Sequence, residues 1–312
     1  MRQRRLSMKQ FFEQMFFSPK WYHYLLMVVL FPLSVVYGTV MLLRRVLTPK
    51  ECFSIPIVSV GNLQVGGSGK TPFIIALASC YEDMFIISRG YGRRSQGRIE
   101  VSSHGKILTS VQSSGDEAML MAHALPNASV IVCEDRSMAI EVAMREGAKV
   151  IFLDDGFNRV EIKKYEVLLE PACMPNSLPF PAGGLREFSF SKKFADLVAK
   201  EERDFVRHVK IENPTERMVL VTAIANPKRL DAYLPEGVVA KVYQDDHSYF
   251  DEEVLQSYLK EYQATSILCT SKDRIKMQNF KLPISEMKLE LQINKEIVAQ
   301  IDNYIEGFAC ER

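Results

Sequence analysis

The sequence predicts an α/β protein: a P-loop-type domain on a mostly parallel sheet, a second smaller α/β lobe, and an N-terminal membrane-associated helix. Three observations predict it. After Lys50, short apolar runs alternate with amphipathic stretches, the pattern of strands covered by helices. One junction, "VGNLQVGGSGKTP" (Val60–Pro72), sets a glycine loop between a strand and a helix. At the other extreme, "WYHYLLMVVLFPLSVVYGTVMLL" (Trp21–Leu43) contains no Asp, Glu, Lys or Arg.

That apolar run would reach about 35 Å as a helix, enough for a bilayer core. It is too long for a secretory signal and is followed by Arg44–Arg45 rather than a small-residue cleavage site. Both flanks are basic: Arg2, Arg4, Arg5, Lys9 and Lys20 before it, Arg44, Arg45 and Lys50 after it. A single span would leave one basic flank on the wrong side. The favoured reading is a helix bent at Pro32 and embedded from the cytoplasmic face with both ends inside. A single span and a buried core helix are the alternatives. The phenylalanines of "FFEQMFF" beside basic residues add to the interfacial reading.

Beyond it, Ile57–Val60, Phe85–Ser88, Val130–Cys133, Val150–Leu153 and Val167–Leu169 read as strands, with helices near 71–81, 116–125 and 136–147. The polar stretch Lys200–Arg217 interrupts this pattern. Strands at Val219–Thr222, Val238–Tyr243 and Ser266–Cys269 and a helix over Glu252–Tyr262 follow. The expected division is therefore a helix over 1–50, a nucleotide-binding core over 51–212 and a smaller lobe over 213–312. No internal repeat or low-complexity tract is present.

Net charge is +1 over 312 residues, which argues against nucleic-acid binding as a property of the whole chain. The six cysteines are scattered, without C-x-x-C or a metal-ligand spacing, which fits a reducing cytoplasm and no structural zinc.

The chemistry begins at the glycine loop. Gly69, Lys70 and Thr71 match the end of G-x-x-x-x-G-K-[ST], whose backbone amides cradle phosphates while the lysine meets the terminal phosphates and the hydroxyl meets Mg²⁺. The opening glycine is replaced by Gln64. Gly66 and Gly67 compensate in part, because glycine permits close backbone approach. "KVIFLDDGF" ends a strand in Asp154–Asp155, where a carboxylate beside such a loop would hold Mg²⁺ or its waters. "SRGYGRR" (Ser88–Arg94) places arginines at a strand's end, where phosphates bind. Asp116 and Glu117 open a helix, either complementing its dipole or serving as a base and a metal ligand. Of five histidines, His247 in "QDDHSYF" stands out, following a strand and adjoining Asp245 and Asp246.

Together these residues resemble the tetraacyldisaccharide 4′-kinases, the lipid A 4′-kinases. The motifs run in order: "VGNLQVGGSGKTP", "SRGYGR", "GDE" at Gly115–Glu117, "EDR" at Glu134–Arg136, "LDDGF" at Leu153–Phe157, "PAGGLRE" at Pro181–Glu187, "ANPKR" at Ala225–Arg229, "DH" at Asp246–His247 and "TSKD" at Thr270–Asp273. The resemblance implies transfer of the ATP γ-phosphoryl group to the 4′-hydroxyl of a tetraacyldisaccharide 1-phosphate lipid at the cytoplasmic face of the inner membrane, by a monomer. It implies nucleotide contacts from Gln64, Val65, Gly66, Gly67, Ser68, Gly69, Lys70 and Thr71, with Lys70 on the β/γ-phosphates. Arg89 and Arg136 would contact phosphate or anionic headgroup. Thr71 and Glu117 would ligate Mg²⁺, with Asp154 and Asp155 supporting its shell. Asp116 would be the base, assisted by His247 from the second lobe, so that lobe closure belongs to catalysis.

The chain departs from the family pattern at Asn158–Arg159, where Gln-His is usual, at Ala118 for proline and at Ser271 for glutamate. Other classes fit less well. A dimerising regulatory ATPase would carry a lysine where Val65 stands, a GTP switch needs N-K-x-D, and a dead scaffold would have lost Lys70 or the carboxylates.

Overall fold

The computed structural model describes residues 8–66 and 69–308. Arg2, Arg4 and Arg5 of the basic flank, Gly67 and Ser68 of the glycine loop, and Cys310 lie outside the described residues, as does the side chain of Lys9.

Helix α1 (Met8–Phe17) packs Met15 and Phe16 beside Met27 of α2 (Trp21–Leu47), which carries Pro32 without interruption. On α2, His23, Met27, Ser34, Gly38 and Arg45 are buried, at alternating spacings of four and seven that mark one helical face. The opposite face exposes Leu25, Val28, Val29, Leu33, Val36, Val40 and Leu43. The helix is therefore half-packed rather than a core helix. In its basic C-terminal flank, Arg44 and Lys50 are exposed, whereas Arg45 is withdrawn from any membrane surface. Arg45 is buried in a two-point ion pair with Glu187, and Arg44 bonds the Asn158 carbonyl and lies 3.7 Å from Glu161.

The first sheet has eight strands: β1 (Ile57–Gly61), β2 (Met84–Ser88), β3 (Ile99–Ser103), β4 (Lys106–Ile107), β5 (Ser129–Val132), β6 (Val150–Asp154), β7 (Tyr165–Glu170) and β8 (Leu197–Lys200). Their spatial order is β4-β3-β5-β2-β6-β1-β7-β8, parallel throughout except at β3 and β4. The helices between them are α3 (Lys70–Ala78), α4 (Val111–Ser114), α5 (Asp116–Ala124) and α6 (Arg136–Arg145). Strand alternation sorts the core into two layers. Val58, Val60, Ile86, Val130 and Phe152 face Phe73, Leu77, Met121 and Ala122 of α3 and α5. Ile57, Phe85, Ile87, Ile131 and Ile151 face Ala139, Ile140 and Ala143 of α6. Burial on both faces explains why these strands read as continuous apolar runs.

The second sheet comprises β9 (Phe205–Glu212), β10 (Met218–Thr222), β11 (Val238–Tyr243), β12 (Ser266–Thr270) and β13 (Ile284–Ile293), in the order β11-β10-β12-β13-β9. Helices α7 (Glu252–Glu261), α8 (Ser271–Arg274) and α9 (Lys295–Glu306) accompany it. Two features differ from the sequence expectation. The polar stretch Lys200–Arg217 contains β9, which pairs antiparallel with β13 and seats Phe205 5.3 Å from the ring of Phe73. Helix α9 returns to the first sheet: Ile297 and Ile301 join its core, and the Tyr304 hydroxyl donates to the Ile57 carbonyl. The chain thus crosses between the lobes twice, from β8 to β9 and from β13 to α9.

Candidate active site at the strand ends

Strand β6 lies between β1 and β2, although the chain passes from β1 to β2 first. Such a switch in strand order opens a crevice at the carboxyl ends, where open α/β sheets bind ligands. Here those ends carry Ser88, Asp154 and the glycine loop.

Gly69 (φ +82°) is the N-cap of α3, a left-handed conformation that only glycine adopts freely. A Cβ there would lie 2.9 Å from Nη2 of Arg207, so β9 brings a guanidinium against the loop. Lys70 opens α3. Its Nζ donates to Asn62 Oδ1 at 3.0 Å and lies 3.5 Å from Asp155 Oδ1. Thr71 is buried in the first turn, where the helix end favours anions. The loop's irregular start has a physical reason. Gln64 forms an extended bridge with Leu185, its carbonyl accepts from Asn62 Nδ2 at 2.7 Å, and the Val65 amide donates to the Gly184 carbonyl at 2.8 Å. Extended backbone needs no glycine, and these groups of Gln64 and Val65 are committed within the protein. Gly66 lies against Phe17 of α1.

Asp154 is buried, and its Oδ2 accepts from Ser88 Oγ at 2.8 Å, while Oδ1 is buried with no hydrogen-bond partner among the described residues. Burial first, then Glu117 and Asp155, raises its carboxyl to about 6. Asp155 behaves oppositely. Burial works against its charge, but Lys70 and Arg186 outweigh it and hold the carboxyl low. Arg186 Nη1 donates to both Asp155 oxygens, at 2.9 and 2.8 Å. Arg89 is exposed one residue past β2. Arg136 is buried instead, donating to the Cys133 carbonyl, and burial, then Arg159, lowers it to about 10. Arg93 also serves the scaffold, bonding Glu134 and the carbonyls of Val132 and Gly97.

The second lobe completes the site. His247 Nδ1 lies 3.0 Å from Asp116 Oδ2, and its ring centroid is 5.3 Å from that of Tyr91 in the "SRGYGRR" loop. Lys276 Nζ lies 2.8 Å from the same Asp116 oxygen, and Lys272 Nζ lies 3.4 Å from Glu117 Oε1. Burial opposes the charge of Asp116, but His247, Lys276 and Lys272 together keep its carboxyl below the usual range. His247 is held from behind. Its amide donates to the Ala223 carbonyl, and the Ala223 amide donates to buried Asp273, which also accepts from Thr222 and Thr270. Asp155 (φ +52°) and His247 (φ +65°) both take left-handed backbone, which costs about 1–3 kcal/mol each.

The structure thus gathers Lys70, Thr71, Asp154, Asp155, Asp116, Glu117 and His247 around one crevice. It adds Asn62, Arg186, Arg207, Lys272 and Lys276, to which the sequence reading gave no role. Arg186 and Lys272 sat in quoted motifs, and Lys276 follows Lys272 by one helical turn.

Comparison with known proteins places the chain in a family. The family model described as tetraacyldisaccharide-1-P 4′-kinase matches residues 26–306. The chain is 45% identical over 306 residues to the tetraacyldisaccharide 4′-kinase of Helicobacter pylori (strain HPAG1), covering 97% of each. It is 41% identical over 305 residues to that of Aliarcobacter butzleri (strain RM4018), covering 95% of this chain and 97% of the other. Among solved structures, LpxK from Aquifex aeolicus in complex with ATP superposes with a TM-score of 0.76 at 25% identity, covering 90% of this chain and 99% of that one. The chain belongs to the tetraacyldisaccharide-1-P 4′-kinase family.

Proposed function

We propose that the protein transfers the γ-phosphoryl group of ATP to the 4′-hydroxyl of a tetraacyldisaccharide 1-phosphate at the cytoplasmic face of the inner membrane. The observation that carries this reading is the contact of Asp116 with His247 across the lobes, 3.0 Å apart, in the crevice of the phosphate loop. His247 and Lys276 both engage Oδ2 of Asp116. Oδ1 is then left to take the proton of an acceptor hydroxyl, with His247 orienting the carboxylate. Lys70, at the head of α3, takes the β/γ-phosphates and stabilises charge as the phosphoryl group moves.

The donor set fits Mg²⁺. Asp154 offers a buried oxygen without a protein partner, and Thr71 and Glu117 add hard oxygen donors. No closed cage of three or more His, Cys, Asp or Glu side chains exists among the described residues. That suits an ion that keeps several waters and completes its shell from phosphates. Bound there, Mg²⁺ would neutralise charge on the β/γ-phosphates. Asp155, engaged by Arg186 and Lys70, would support from behind.

Helix α2 supports the membrane reading. It packs on the body from His23 to Arg45, so a full crossing would strip it from its own protein. Its exposed apolar face, with Trp21 and Tyr24 near one end, suits a helix lying in the interface. An apolar recess between α2 and the 175–178 segment, lined by Met27, Val28, Phe31 and Leu178, lies on this side.

The test is label transfer from γ-labelled ATP to a tetraacyldisaccharide 1-phosphate in mixed micelles. Wild type should label the lipid, and Lys70→Ala and Asp116→Ala should each lose roughly 100-fold or more. ATP hydrolysis dependent on Lys70 without lipid product would point to a regulatory ATPase instead.

A further inference from the structure

The segment 178–188 is clamped on both sides. Toward the nucleotide loop, the Gly184 carbonyl accepts from the Val65 amide at 2.8 Å, the Arg186 amide donates to the Leu63 carbonyl at 2.7 Å, and Leu185 bridges Gln64. Toward the helical hairpin, the Ala182 amide donates to Ser34 Oγ at 2.9 Å, and a Cβ on Gly38 would lie 2.6 Å from the Phe188 ring.

A polar chain runs through the same segment. Arg45 donates to both Glu187 oxygens, at 2.8 and 2.6 Å, and to the Phe157 carbonyl at 2.8 Å. With its amide oriented to satisfy both neighbours, Asn158 donates to Glu187 Oε1 and accepts from Arg186 Nη1, each at 3.1 Å. Arg186 grips Asp155, and Asp155 faces Lys70. The chain is buried at Arg45–Glu187 and partly buried at Arg186–Asp155, and it ends in the 3.5 Å ion pair of Asp155 with Lys70, so a shift at the buried end is passed along directional contacts toward the lysine. A buried ion pair is a costly way to fix a helix when apolar side chains would do, and its best-attested use is to hold register.

We propose that Arg45 of α2 is a positioning residue for the phosphate site, acting through Glu187, Asn158, Arg186 and Asp155 on Lys70. The N-terminal hairpin is then part of the catalytic apparatus as well as its anchor. Asn158, one of the departures from the family pattern, is the joint of this chain. The inference rests on the reading of the glycine loop as the nucleotide site.

The test uses the full chain carrying Arg45→Met with Glu187→Met, which removes both buried charges together. The expected result is a folded protein that still floats with phospholipid vesicles and keeps its KM for lipid, with kcat and affinity for a fluorescent ATP analogue each reduced about tenfold or more. A folded double variant within twofold of wild type in both overturns the proposal. Should the variant fail to fold, hydrogen exchange on wild type decides. A non-hydrolysable ATP analogue should slow exchange of the Ala182 and Arg186 amides and at the end of α2, because coupling is reciprocal. Slowing confined to residues 60–73 overturns it. Wild type that binds the analogue but labels no lipid would sink the kinase reading and leave this one standing.

Discussion

Asp116 and His247 stand on different lobes and meet at 3.0 Å, with His247 in left-handed backbone pinned to the Ala223 carbonyl. The proposed base is thus assembled by apposition of two sheets, and Asp273 acts on it from a distance by fixing the loop that carries the histidine.

Removing the histidine should therefore affect the chemical step more than nucleotide binding. His247→Ala leaves Lys276 on Asp116, so the carboxylate stays ionised but loses its orientation. The expected result is a fall in kcat of roughly 100-fold with KM for ATP within a fewfold of wild type. Steady-state kinetics with both substrates varied checks it. An equal rise in KM for ATP would place His247 on the nucleotide instead.

Asp154 gives a pH-dependent prediction. Its carboxyl rises from 3.8 to about 6, so the folded protein binds that proton more tightly than the unfolded chain. Below about pH 4 both states are protonated and the group costs nothing; between about 4 and 6 the unfolded chain ionises first, and above 6 the cost is complete. That cost is on the order of 3 kcal/mol. Asp154→Asn, which still accepts from Ser88, should melt higher than wild type at pH 7 without Mg²⁺, and the gain should vanish near pH 4. Added Mg²⁺ should raise the wild-type melting temperature at pH 7 and leave the variant unmoved, because the ion binds the charged form.

Much of this was legible in the sequence, for identifiable reasons. Strands such as β1 and β6 are buried on both faces and read as apolar runs, and Lys70, Asp116 and His247 fall in motifs whose order carries information. β9 was not legible, because "FVRHVKIE" alternates polar and apolar residues within a charged stretch. Nor was the return of α9, since Ile297 and Ile301 show an apolar face without showing which lobe receives it. Lys276 has no motif of its own. Its role comes from Asp116, which only tertiary structure brings to 2.8 Å. Arg44 and Arg45, which follow the apolar run and fall in the last turn of α2, read as a basic membrane flank, and the structure spends Arg45 on Glu187.

Gly61 ends β1 where the loop after β6 crosses it. A Cβ there would lie 2.5 Å from Phe157 Cβ and 2.9 Å from the Phe157 amide nitrogen. Gly61→Ala should force the "DDGF" turn away from the glycine loop, costing about 1–3 kcal/mol in stability through overpacking. Activity should fall further than stability accounts for, since Asp154 and Asp155 move with Phe157. Denaturant unfolding and label transfer on the same preparation separate the two effects.

The exposed face of α2 can be changed without touching the site. Val29 and Val36 are 71% and 62% exposed, so Val29→Lys with Val36→Lys removes apolar surface from the interface while leaving the packed face of His23, Met27, Ser34, Gly38 and Arg45 intact. Two charges set where hydrocarbon is expected should weaken membrane binding strongly, as charged groups pay a large desolvation cost there. Flotation with anionic phospholipid vesicles should show release of the variant, while binding of a fluorescent ATP analogue stays at the wild-type level. Transfer to lipid in vesicles should fall, and transfer to lipid dispersed in micelles should recover in part. Retained flotation would mean that α1 or another surface holds the membrane, and the exposed valines would need a different occupant.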